Sequence, residues 1–319
     1  MSAHPVDLAA IRAAAARIAG LAHVTPIATC ATLDRLARRA LVFKCEQLQK
    51  VGAFKFRGAT NAVARLDEAT ARRGVVTHSS GNHAQALALA ARGRHIAAHV
   101  VMPVDAPVVK RRAVEGYGAR VVPCEPTLVA REEAAAQIAA ETGATFVHPY
   151  DHPDVIAGQG TAALELLEQA GPLDAIVTPV GGGGLISGTA IAATALQPGI
   201  RIFGAEPCGA DDAARSKRAG VRIPLAAPRS VADGLLANLG ELTWPVVRDR
   251  VEEIVTVSEE EILAAMRLAW ERAKLLIEPS AAVAVAAVLS ERFRALGGLT
   301  RVGVILSGGN VDFDRLGRV

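Results

Sequence analysis

The chain has 319 residues, enough for about two domains at roughly 150 residues each. Hydrophobic residues make up 51% and charged residues 21%, a balance that excludes extended disorder. The net charge of +3 is spread without a basic block and aromatics are only 3%, so neither nucleic acid nor a membrane is an expected partner.

The helical period opens the chain, with Leu8, Ile11, Ala15 and Ile18 on one face. Short β-branched runs then predict strands over Leu41–Cys45, Val75–Thr77, Ala97–Met102, Arg120–Val122, Ala175–Val180, Arg201–Glu206, Glu253–Val257 and Arg301–Leu306. Amphipathic or Ala-rich stretches of helical length lie between most of them, among them the expected helices Thr60–Leu66 and Ala86–Arg92. Ser258 and Glu261 form a capping box that opens a helix toward Lys274. This alternation predicts an α/β fold with mostly parallel sheets. Composition marks no domain boundary; Gly74 and the segment His148–Pro153 are the candidates.

Four cysteines (Cys30, Cys45, Cys124, Cys208) are scattered without a C-x-x-C pair. They form neither a disulfide framework nor a zinc pattern, and point to a reducing compartment. The N-terminus lacks the basic-then-apolar layout of a signal peptide. The longest apolar run, Ala281–Leu289, falls far short of the ~20 residues of a membrane span. A soluble, cytoplasmic protein is expected.

Ligands collect in open α/β sheets where strands end and helices begin, and four such junctions carry unusual residues. In Gly52–Ala59, Lys55 stands between Phe54 and Phe56 with Arg57 close by. Apolar neighbours and a nearby cation both disfavour the ammonium form, and a neutral amine is what Schiff-base chemistry needs. A lone lysine is otherwise a snorkelling surface residue. In His78–Gln85, two hydroxyls, the Asn82 amide and free helix-start N–H groups suit a carboxylate or a phenolate oxygen; a helix cap alone would need only one of these residues. After the strand Ala175–Val180, Gly181, Gly182, Gly183 and Gly184 let successive N–H groups converge on one anion, with a helix N-terminus behind them. The run matches neither a Walker loop nor G-x-G-x-x-G. Ser307–Asn310 follows the last strand and reads singly as a turn. Together, a phosphate cradle, an imine lysine, an amide donor and a late hydroxyl describe a pocket for pyridoxal 5'-phosphate.

On these residues the chain resembles the fold-type II pyridoxal-phosphate enzymes, specifically the serine/threonine dehydratase and serine racemase family, over nearly its whole length. Further matches are Ala157–Thr161, Ala232–Gly234, Leu275–Ser280 and the stretch from Glu206 to Asp212. The resemblance implies two open twisted α/β domains of the tryptophan synthase β type. Residues 1–73 and 151–319 would form the large cofactor-binding domain, and 74–150 a small mobile domain that closes over substrate. Lys55 would bind the cofactor and act as base on one face of the substrate Cα. Asn82 would meet the phenolate oxygen, Gly181, Gly182, Gly183 and Gly184 the phosphate, and Ser307 the ring nitrogen. Ser79, Ser80, Gly81 and His83 would grip the substrate carboxylate, with Arg131 lining the site. Ser80 stands where racemases carry the acid/base for the opposite face. Glu206, the Ala210 carbonyl and Asp212 would hold a divalent cation, Mg²⁺, Mn²⁺ or Ca²⁺. Partners would be a small amino-acid substrate and a second copy in a homodimer.

The activity implied first is β-elimination of water and ammonia from a β-hydroxy amino acid such as L-threonine or L-serine, giving a 2-oxo acid. A neutral hydroxyl at the ring nitrogen withdraws electrons mildly, which favours prompt elimination over transamination. Serine racemase or threo-3-hydroxyaspartate ammonia-lyase is the alternative on the same scaffold. A β-replacement synthase fits less well around Lys55 and Asn82. A non-catalytic amino-acid sensor would have little reason to keep Lys55. Ala53 stands where animal racemases have serine and matches bacterial dehydratases; Ala237 replaces a serine of the racemases' substrate pocket, a departure that counts against serine as the preferred substrate. The chain stops soon after Asn310, so feedback inhibition through an added C-terminal domain is not expected.

Overall fold

The computed structural model describes residues 4–106 and 108–312. Its strands are β1 (Ile27–Ala28), β2 (Ala40–Cys45), β3 (Val75–His78), β4 (Ala98–Pro103), β5 (Arg120–Cys124), β6 (Thr145–Phe146), β7 (Ala175–Pro179), β8 (Arg201–Pro207), β9 (Glu253–Val257) and β10 (Arg301–Leu306). They form a six-stranded sheet in the order β1-β2-β10-β7-β8-β9 and a four-stranded sheet in the order β5-β4-β3-β6. Every pairing is parallel except β1 with β2. The eight expected strands are all present. The two-residue strands β1 and β6 were not expected, since so short a run carries no periodicity.

Alternation along the strands divides the core. In β10, Val302, Val304 and Leu306 face one layer with the helix Pro279–Leu289, while Ile305 faces the layer containing the helices Leu8–Ile18, Pro153–Ala170 and Gly184–Leu196. The large sheet is thus covered on both faces, as parallel sheets require. All four strands of the smaller sheet lie between Val75 and Phe146. Its core reaches beyond them, because Phe56, Ala59, Ala62 and Val63 from the helix Lys55–Arg65 pack with Val75, Leu87 and Val100. In the first helix Ala14 rather than Ala15 is buried with Ile11 and Ile18.

A seam of glycines brings three helices backbone to backbone. A Cβ on Gly158 would lie 2.6 Å from the Gly58 Cα, and one on Gly188 would lie 2.5 Å from the Gly160 nitrogen. The helices Lys55–Arg65, Pro153–Ala170 and Gly184–Leu196 therefore meet backbone to backbone at these glycines. This gives a packing role to the Gly158 and Gly160 motif.

Beside the seam lies a buried ionic network. Arg57 donates to Glu46 at 2.7 Å and to Glu165 at 2.6 Å, and Lys44 donates to Glu165 at 2.6 Å. Both cations are fully buried and both are matched by carboxylates, which is the condition for charge to be tolerated there.

Candidate active site

Helices begin on the motif residues themselves. Lys55 opens Lys55–Arg65, Asn82 opens Asn82–Gly93 and Gly184 opens Gly184–Leu196. The sequence placed the first two starts later, at Thr60 and Ala86. The earlier starts put unpaired N–H groups and the positive ends of helix dipoles at the motifs.

Lys55 is half-buried, and its Nζ donates to the Pro149 carbonyl at 2.8 Å. It makes no ion pair among the described residues. Burial alone pulls its ammonium down to about 8. The expected help from Arg57 is absent, because that guanidinium is turned into the Glu46 and Glu165 carboxylates.

The residue after Pro149 joins the lysine to the glycine loop. A Cβ on Gly182 would lie 2.3 Å from the Tyr150 ring, and one on Gly184 would lie 3.0 Å from the Tyr150 carbonyl. Gly183 has φ +88°, and a Cβ there would also meet Thr243 at 2.8 Å. Thr243 Oγ1 donates to the Gly182 carbonyl at 2.8 Å. Asp151 in turn accepts from the N–H groups of Glu241, Leu242 and Thr243. The N–H groups of Gly182, Gly183 and Gly184 meet no acceptor among the described residues. That is the donor set a phosphate requires.

Ser307 is buried at the end of β10, and its carbonyl accepts from the Phe54 N–H at 3.0 Å, which ties it to the lysine segment. Its hydroxyl has no partner among the described residues. Asn82 sits between Glu278 and Asn310. A phosphate cradle, an amine with no carboxylate partner, a hydroxyl without a partner among the described residues and an amide donor thus fit pyridoxal phosphate.

Of the expected carboxylate-gripping residues, Ser79 accepts from the Gly81 N–H at 3.3 Å, and the Ser80 hydroxyl has no partner among the described residues. His83 is buried, with Nε2 3.2 Å from the Val147 carbonyl. Burial and the Lys55 charge hold its pKa well below the usual imidazole range, so the ring is neutral. Arg131 lies on the helix Leu128–Thr142, near His78, and its Nε is buried without a partner among the described residues. His148 is held at about 4 by burial, and its Nδ1 accepts from the Asp151 N–H at 2.8 Å.

Glu206 and Asp212 are both buried. Glu206 accepts from the N–H groups of Ala213 at 3.0 Å and Ala214 at 2.9 Å. Burial, with Asp212 adding to it, raises Glu206 well above the usual carboxylate range, and burial pushes Asp212 up to about 6. Ala210 is buried beside them in sequence, and Asp212 Oδ1 has no partner among the described residues. No group of three or more His, Cys, Asp or Glu side chains converges among the described residues. Two adjacent buried carboxylates and an orphaned oxygen nonetheless fit a hard cation.

Tyr150, Asp151, Thr243 and Glu278 were not singled out from the sequence. They act through partners far away in the chain, and only the neighbourhood of His148 and of Leu275–Ser280 had drawn notice.

Comparison with known proteins agrees with this geometry. The family model described as pyridoxal-phosphate dependent enzyme matches residues 18–308. The chain is 52% identical to a serine racemase of Arabidopsis thaliana, over 98% of this chain and 96% of the relative. It is 52% identical to a beta-hydroxyaspartate dehydratase of Paracoccus denitrificans, over 92% of each. The solved structure of maize serine racemase superposes with a TM-score of 0.97 at 47% identity, covering 98% of this chain and 96% of that one. No helix among the described residues is long and apolar enough to cross a membrane. With Lys55 and the glycine loop joined through Pro149 and Tyr150, and with residues 18–308 matched, the chain belongs to the fold-type II pyridoxal-phosphate dependent enzymes.

Proposed function

We propose that the protein is a serine racemase that also removes water and ammonia from β-hydroxy amino acids. This reverses the order expected from sequence, where elimination came first. Support comes from relatives named serine racemase at about half identity, beside a beta-hydroxyaspartate dehydratase of equal similarity. The observation that carries the reading is the Lys55 amine, without an ion pair among the described residues and held at about 8, on the same chain as a Ser80 hydroxyl near a helix start with no partner among the described residues.

Pyridoxal phosphate supplies the electron withdrawal that makes a Cα proton labile. The N–H groups of Gly182, Gly183 and Gly184 would hold the phosphate, with Asn82 and Ser307 at the ring. Ser79, Ser80, Gly81 and the helix start behind them would seat the substrate carboxylate, with Arg131 at the rim. Lys55 takes the proton from one face of Cα. Racemisation requires a donor on the other face, and Ser80 is the residue we assign. Elimination needs no donor on the second face: Lys55 would take the Cα proton, and the β-hydroxyl would leave as water with a proton supplied on the phosphate side.

The same reading takes Glu206, the Ala210 carbonyl and Asp212 as a divalent cation site. It takes residues 74–150 as the part that closes over substrate; the Lys110–Asp233 ion pair, which joins the helix Val108–Gly116 to the turn Asp233–Leu235, would brace the closed form. A cytoplasmic homodimer is the assembly we infer, following the resemblance to the family.

Ser80→Ala tests the assignment. It should abolish interconversion of L- and D-serine and leave elimination from L-serine within about an order of magnitude, or roughly 1.4 kcal/mol of barrier. Equal loss of both activities would leave Ser80 in the carboxylate grip alone and remove it as the second acid.

A further inference from the structure

Asn82, Asn310 and Glu278 close a ring of hydrogen bonds. Asn310 Nδ2 donates to Asn82 Oδ1 at 2.8 Å, Asn82 Nδ2 donates to Glu278 Oε1 at 2.9 Å, and the Asn310 backbone N–H donates to Glu278 Oε2 at 3.2 Å. The ring is anchored outside itself. Asn310 Nδ2 also donates to the Val51 carbonyl at 2.7 Å, and the Glu278 N–H donates to the Gly308 carbonyl at 3.0 Å. Gly52 has φ +69°, and a Cβ there would lie 2.6 Å from Asn310 Oδ1. Glu278 is 6% exposed and fits against Gly308, where a Cβ would come within 2.6 Å of its Oε1.

An asparagine amide has an accepting end and a donating end of nearly equal size. We infer that Glu278 and Asn310 are positioning residues that fix which end of Asn82 faces the cofactor. With Oδ1 taken by Asn310 and one N–H taken by Glu278, the second N–H is the group left for an acceptor such as a phenolate oxygen. Turning the amide over would set N–H against N–H at Asn310 and, with Glu278 ionised, carbonyl against carboxylate, losing two hydrogen bonds and creating two repulsions. The inference rests on the placement of Asn82 in the proposed function and adds the groups that orient it.

The test compares Asn310→Ala with Asn310→Asp. Alanine removes the lock and leaves the Asn82 amide free to take either orientation. Aspartate keeps the size of the side chain but offers only acceptors, so it draws the Asn82 N–H toward itself and turns the carbonyl to the cofactor. Pyridoxal phosphate affinity of the apo-protein, read by fluorescence titration, should fall about fivefold for alanine and about fiftyfold for aspartate. The visible absorption band of the loaded protein should move for aspartate only. Aspartate also sets a carboxylate oxygen against the Val51 carbonyl and a second charge beside Glu278, so the affinity order is read together with the absorption band: a larger loss for aspartate without a shifted band would be local repulsion alone and would overturn the inference. Glu278→Gln adds a second arm: its oxygen still accepts from Asn82 while its amide opposes the Asn310 N–H, so the loss should fall between wild type and Asn310→Asp. Unchanged affinity in all three variants would also overturn it. Failure of the wild-type protein to take up pyridoxal phosphate would instead count against the proposed function.

Discussion

The Tyr150 ring lies against Gly182 so closely that a Cβ on the glycine would be 2.3 Å from it. Tyr150 follows the residue whose carbonyl receives the Lys55 amine. One short segment therefore sets both the height of the glycine loop and the position of the lysine. Gly182→Ala should displace this loop at an overpacking cost of about 1–3 kcal/mol and weaken cofactor binding at least about tenfold. Adding Tyr150→Ala should recover part of that loss by making room for the methyl group. Titration of the apo-proteins with pyridoxal phosphate reads both effects, and a double variant no better than the single one would deny the contact its role.

Lys55 is pulled from an ordinary lysine value of 10.5 to about 8 by burial. A lowered lysine pKa means that the neutral, reactive amine becomes populated at lower pH. Uptake of pyridoxal phosphate by the apo-protein should therefore accelerate with rising pH, by about tenfold per unit below the midpoint, and level off above about 8. Stopped-flow absorbance at a series of pH values gives the midpoint. A midpoint near 10.5 would show that the amine is as well solvated as a surface lysine.

Removing a divalent cation should destabilise the protein, because Glu206 and Asp212 are neighbouring buried carboxyls and Asp212 Oδ1 is buried without a partner among the described residues. Mg²⁺ or Mn²⁺ at about 100 times its Kd should add about 2.7 kcal/mol of stability. Chelator should reverse the gain, and Asp212→Asn should lose the response to cation. Thermal melts with and without metal provide the check; identical melts would set the site aside.

Much of this was legible in the chain because the chemistry sits at the ends of regular elements. The glycine run after an apolar strand and the lysine between two phenylalanines carry local signatures, and β9 and β10 have the bounds their β-branched runs predict. What stayed hidden depends on distance. Asp151 caps a helix start some ninety residues away at Thr243, and Glu278 reaches Asn82 across 196 positions. The helix starts at Lys55 and Asn82 were read too late because Phe54 and Gly81 cap them without a side-chain oxygen. The buried pair of Arg57 with Glu46 and Glu165 was equally silent, since each residue alone reads as a surface charge.

The most direct measurement is to incubate the loaded protein with L-serine and follow both products, D-serine by chiral chromatography and 2-oxo acid by colorimetric assay. The account predicts that D-serine and 2-oxo acid both form and that Lys55→Ala makes neither. Formation of 2-oxo acid without D-serine would contradict racemisation and leave a dehydratase; absence of both products from L-serine, or full turnover by Lys55→Ala, would contradict the central assignment.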